Sequence, residues 1–288
     1  MSRELHVRHR PGTKKMHLTD GIGLLGLLQP KLLKWAGLVV FAMPRRVKRV
    51  PLPLESYQNE NKPKAKYLLS CSDANPMTSA EVLAMADPEL KALWNDLDLS
   101  YEDPWGSEIL RREVAKMHEV QAFGQPGLGI GWLISQNKGL LRRMMDYKDY
   151  LIKGSPKPSE VIATISLRNR EKILKANLKI INKNLDILDG FFDEFKDIFE
   201  WHRPHGGTMT LVKVKGWAAE LGKKKGASGF CQFAMDEGQI MLVPSHIFGI
   251  EDSFFRIGFG RNDLKDCVKA LKAVLLKGKP QPPPPVQE

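Results

Sequence analysis

The segment FFRIGFGR, residues 254–261, holds the residue best placed to do chemistry, Arg256. In an extended chain the side chains alternate between two faces, so Phe255, Ile257 and Phe259 share one and Arg256 shares the other with Phe254 and Gly258. An arginine beside a residue with no side chain has a cleared space next to it. Its planar fork suits a carboxylate, which it can grip through two parallel hydrogen bonds. Tyr101, in LSYEDPWGSEILRREVAKMH, is a second candidate and precedes a turn and a helix. The third is AFGQPGLGIGW, residues 122–132, where four glycines and a proline ahead of an apolar helix describe a backbone that approaches something closely.

Other chemistries find less support. His202 and His205 flank Pro204 and would make a metal pair only with a third ligand, which is not within local reach, so no metal site is assigned. Cys71, Cys231 and Cys267 form no Cys-x-x-Cys pair and read as free thiols in a reducing compartment. Gly21-Ile-Gly-Leu-Leu-Gly26 spells a dinucleotide fingerprint, but neither a strand before it nor an acid about 20 residues after it supplies the needed context. Lys138 and Lys153 sit in charged segments and read as surface.

These candidates need elements to position them. Thr78-Ser-Ala-Glu81 is a capping box, and Asp87-Pro88 starts a second short helix. Ser107 to His118 is predicted helical, with Ile109, Leu110, Val114 and Met117 inward. Over 159–200, Leu174, Leu178, Ile181, Leu185, Leu188, Phe192, Phe195 and Phe199 recur at steps of four and three. That spacing predicts one long helix with a bend near Gly190, packed on a sheet rather than on a coiled-coil partner. Three strands follow, Thr208 to Val214, Gln239 to Pro244 and Phe254 to Gly260. A helix from Asn262 or Asp263 buries Leu264, Cys267, Val268, Leu271, Val274 and Leu275, and the proline-rich tail 278–288 is extended. The element order is that of a small α/β domain.

Together, these segments resemble class I/II aminotransferases, the fold type I enzymes that use pyridoxal phosphate. In that family the loop at 122–132 follows the catalytic lysine and ends near a phosphate-binding arginine. The alignment puts the lysine on Gln121 and the arginine on Gly129. Tyr101, Gly106, Leu110 and Arg111 match the segment whose tyrosine reaches the cofactor phosphate of the other subunit, and Arg256 matches the arginine that clamps the substrate's α-carboxylate. Only 19 residues separate Tyr101 from Gln121, where the family places most of its large domain, and the Asn-Pro-x-Asn-Pro and Asp-Glu-x-Tyr segments are missing. The resemblance therefore implies a remnant. Its small domain is complete, with a long linking helix and a three-stranded, mostly antiparallel sheet, and its large domain is truncated. Substrates would be amino acids and 2-oxo acids, the assembly a homodimer, and the cofactor pyridoxal phosphate. With an amide at 121 in place of an amine, turnover is not expected. The alternative is a non-catalytic interaction or dimerisation module, or a product of omitted coding sequence. Elements meant to cover a large central sheet would then expose apolar surface.

At 288 residues, with 42% hydrophobic and 8% aromatic content, the chain is globular rather than disordered. Its net charge of +11 is uneven, since residues 1–50 hold eleven basic residues against Glu4 and Asp20, a net of +9, which leaves +2 for the rest. A nearly neutral body argues against a nucleic-acid-binding domain. The divisions expected are a basic extension over 1–50, a remnant of the N-terminal arm and large domain over 51–158, a small α/β domain over 159–277 and the tail. Trp35 to Met43 is apolar but too short to span a bilayer, so contact of the extension with anionic lipid would be weak and peripheral. Cytoplasmic residence is expected, with organellar targeting through the extension as the alternative.

Overall fold

The computed structural model describes residues 52–116, 125–152 and 154–280. Gln121, Lys153, the basic extension and the end of the proline tail lie outside them.

Short helices open the described chain. After α1 (Pro53–Asn61) and the two-residue strand β1 (Tyr67–Leu68) come α2 (Ser79–Leu83) and α3 (Pro88–Asn95). The capping box forms as read: Glu81 N–H donates to Thr78 Oγ1 at 3.2 Å, and Thr78 N–H donates to Glu81 Oε2 at 2.7 Å. Asp87 caps α3 by accepting from Leu90 N–H at 2.9 Å. Helix α4 (Glu108–Ala115) is shorter than its pattern predicts; Leu110 and Val114 are buried, while Met117 and His118 are outside the described residues. Beyond the glycine loop lie α5 (Lys138–Leu151) and α6 (Lys157–Arg168).

The long periodic segment is two helices, not one. α6 stops at Asn169 and α7 (Arg170–Glu194) starts after it. Asn169 Nδ2 donates both to Ile165 O at 2.9 Å and to Met85 O at 3.1 Å, so its amide bonds carbonyls at the break and anchors it to the turn after α2. α6 is enclosed by α2, α3 and α4, with every residue from Glu160 to Leu167 buried. α7 itself runs unbroken through Gly190. On α7, Ile181, Leu185, Leu188 and Phe192 face the core as read. Leu178 is instead 54% exposed, and Ile173 and Asn177 take the buried face there. Phe199 is not helical. It lies in β2 (Phe199–Glu200), and its ring packs on Phe192, Phe230 and Phe255 at 5.4 to 5.6 Å.

The sheet has four strands rather than three: β2, β3 (Met209–Val214), β6 (Phe254–Gly258) and β5 (Val243–Pro244), in that order and all antiparallel. The expected strand at 239–244 divides. Its first half, β4 (Ile240–Met241), pairs in parallel with β1 and its second half joins the main sheet. Helix α8 (Gly226–Gly238) and helix α9 (Leu264–Gly278) pack with α7 around one core, and α9 buries the six residues its stripe predicts. Gly229 in α8 has no room for a side chain, since a Cβ there would lie 1.7 Å from Lys224 O.

One stretch has no core. α5 contains no buried residue, and Leu140, Met144, Tyr147 and Leu151 form an exposed stripe one helical face wide. Trp132, Leu133 and Ile134 just before it are exposed as well, Ile134 by 73%. This is the bare apolar surface expected of elements that have lost the sheet they cover. Among the described residues no helix is long and apolar enough to cross a membrane.

Candidate functional site

β6 runs between β3 and β5, and Arg256 stands opposite Leu211 on one neighbour and Val243 on the other. The alternation holds: Phe255, Ile257 and Phe259 are fully buried in the core, and Arg256 is on the other face. That face is closed too. Arg256 is only 5% exposed, with the Phe248 ring 5.6 Å from its guanidinium carbon. Burial pulls its pKa below the ordinary arginine value, and the neighbouring Cys71 acts in the opposite direction when it is ionised. Nε and Nη2 are buried without a hydrogen-bond partner. Leaving such donors unmade costs about 1–3 kcal/mol each, a deficit that an incoming carboxylate would cancel.

The space beside Arg256 differs from the sequence reading. Gly258 clears room, but main chain fills it. A Cβ at Gly258 would lie 1.8 Å from Cys71 O, and Gly258 N–H donates to Leu69 O at 2.8 Å. Gly260 repeats the pattern, with Asp73 O 2.6 Å from a Cβ placed there. Thr208 Oγ1 donates to Ser72 O at 2.6 Å, Asn262 N–H donates to Asn75 Oδ1 at 3.3 Å, and Arg261 pairs with Asp73 at 2.9 Å. Residues 69–75 are thus laced along the end of β6 and form part of the site's wall. Sequence reasoning missed Cys71, Asp73, Phe248 and Arg261. The paired glycines at 258 and 260 were the available signal, because glycine inside a strand marks a close backbone approach.

The other candidates are apart from this wall. Tyr101 lies on the loop between α3 and α4 and is 80% exposed. The glycine loop forms a 3-10 turn, Pro126–Leu128, closed by Gly129 in the left-handed region at φ +60°. Gly129 is exposed, with nothing within 4 Å of where a Cβ would sit. Gln125 ties the loop to α6 by accepting from Ser166 Oγ at 2.8 Å. Among the described residues no group of three metal-ligating side chains occurs. Ser228, His246 and Asp252 imitate a catalytic relay, yet Ser228 Oγ (2.8 Å) and Asp252 Oδ1 (3.4 Å) both meet the same ring nitrogen, Nδ1. A relay needs the two different nitrogens. Asp252 instead receives the first N–H groups of α8, from Ala227 to its carbonyl and from Ser228 to its carboxylate.

No protein-family model matches the chain, and no curated protein sequence matches it. Solved structures do. A PLP-dependent aminotransferase from Streptococcus suis 89-1591 superposes with a TM-score of 0.70 at 14% identity, covering 82% of this chain and 100% of that one. The PLP-dependent cyclase OrfR superposes with a TM-score of 0.66 at 14% identity and the same coverage. At such identity the likeness concerns architecture alone. The chain has the fold of the fold type I, PLP-dependent aminotransferases, with a truncated large domain and small sheets of two and four strands.

Proposed function

We propose that this chain binds carboxylates of the amino-acid and 2-oxo-acid class at Arg256 and does not turn them over as a transaminase. The observation that carries the reading is the buried guanidinium with two unpartnered donors. Two N–H groups left open on one planar fork match the two oxygens of a carboxylate.

Transamination needs a lysine amine to hold pyridoxal phosphate and move a proton. The resemblance places Gln121 at that position, and an amide supplies neither a nucleophile nor a base. Among the described residues the expected phosphate contact does not fit the group either, since Gly129 stands, exposed and left-handed, where a guanidinium would meet the phosphate. The division into an arm and large-domain remnant before residue 159 and a small domain after it belongs to the same reading.

A second reading, a non-catalytic interaction or dimerisation module, is favoured by the bare stripe on α5 and the exposed Trp132–Ile134 run. It is compatible with carboxylate binding, since the two features lie on different elements.

The test is calorimetric titration of the full chain with 2-oxoglutarate and with glutamate. Saturable binding that weakens tenfold or more in Arg256→Gln, and less in Arg256→Lys, supports the assignment. Equal binding by all three proteins, or none by the wild type, overturns it.

A further inference from the structure

Cys71 and Cys267 come from opposite ends of the described chain and line one cavity. It is a space of about 200 Å³ that includes open solvent, walled also by Leu68, Leu69, Arg261 and Leu264. Cys71 belongs to the segment laced beside Arg256, and Cys267 lies in the first turn of α9, which packs on β1 and β4. Cys71 is half-buried, so a small reagent entering the cavity can reach it, whereas Cys267 is only 2% exposed. Cys231 is different. It is sealed in the core on α8, and its electrostatic neighbour is Asp252.

We propose that Cys71 and Cys267 form a peroxide-sensitive dithiol site that closes to a disulfide, tying residues 69–75 to α9. The Cys71 thiolate attacks one oxygen of hydrogen peroxide. An S–O bond forms, the O–O bond breaks, and hydroxide leaves to become water. The Cys267 thiolate then attacks that sulfur, an S–S bond forms, and the sulfenic oxygen leaves as hydroxide and is protonated to a second water. Two thiols and one peroxide give one disulfide and two waters, the sulfurs being oxidised by two electrons and the peroxide reduced by two. Burial raises the Cys71 thiol, against the pull of Arg261, and pushes Cys267 up to about 12. Both thiols are therefore mainly neutral at pH 7, and closure runs faster at pH 9.

The experiment treats the full chain with hydrogen peroxide at pH 7 and pH 9, counts remaining thiols, and maps peptides without reduction. Two of the three thiols should disappear, faster at the higher pH, and return with dithiothreitol. A linked peptide joining residues 71 and 267 should appear in the wild type and in Cys231→Ser, and be absent from Cys71→Ser. The oxidised wild type should melt several degrees higher, because the bridge closes a long loop. The linked peptide is read on the wild type itself, so the outcome does not depend on a variant's folding. Three thiols surviving, oxidation of Cys71 to sulfinic acid with no linked peptide, or a bridge to Cys231 would each overturn the proposal.

Discussion

The C-terminal region and the stretch over residues 125–152 have similar apolar patterning and opposite fates. From α7 to α9, helices and strands bury one another's stripes in a single core that includes Phe199, Phe230, Phe255 and Phe259. α5 has an equally regular stripe in Leu140, Met144, Tyr147 and Leu151, and all four are exposed. Amphipathicity specifies that a face seeks cover, not that the chain contains it. The fold is whole where its elements cover one another and bare where, among the described residues, no element covers α5.

Gly258→Val should have the largest effect, because Cys71 O occupies the space its side chain needs. Urea unfolding should show a loss of about 3 kcal/mol or more. Next is Arg168→Ala. Arg168 donates from Nη1 to Asp87 at 2.6 Å and to Glu89 at 2.8 Å, and from Nε to Glu113 at 3.1 Å, joining the end of α6 to α3 and α4. Leaving Glu113 buried and less well paired should cost about 2–3 kcal/mol in the same assay.

The pH dependence of that cluster has a definite sign. Burial raises Glu113, but Lys116 and Arg168 outweigh it and hold its carboxyl below the usual range; the Leu90 N–H does the same for Asp87, against a smaller burial effect and aided by Arg168. Their contribution is therefore full above the ordinary carboxylate pKa and is lost as pH falls through the lowered folded values. Arg168→Ala should flatten the acid limb of a stability-against-pH curve. Thr78→Ala, which removes the cap of α2, should cost about 1 kcal/mol. Smallest of all, Met144→Gln with Tyr147→Gln should leave stability within about 0.5 kcal/mol. The same pair should lower binding of a hydrophobic dye, since those side chains support no core.

Much of this was legible from sequence, for particular reasons. The α9 stripe was read correctly because six apolar residues at helical spacing admit one inward face, and Arg256 was placed because strand alternation leaves no choice once Phe255 and Ile257 are core. β1 and β2 were missed because two residues carry no periodicity. α8 was missed because Gly226, Gly229 and Gly238 lower its helix propensity, although Gly229 is required by the approach of Lys224 O. The break between α6 and α7 turns on one amide, Asn169, whose second partner, Met85 O, is far away in sequence. The filled space beside Arg256 was invisible for the same reason, since the backbone that fills it comes from residues 69–75.

In the proposed function, Arg256 binds a carboxylate within an aminotransferase fold that lacks the amine needed to drive the chemistry. The most direct test incubates the full chain with pyridoxal phosphate and glutamate, reduces with borohydride, and maps labelled lysines while assaying 2-oxoglutarate. The account predicts no site-specific lysine adduct within residues 121–153 and no 2-oxoglutarate above the protein-free control. A stoichiometric adduct there together with steady 2-oxoglutarate release would contradict it.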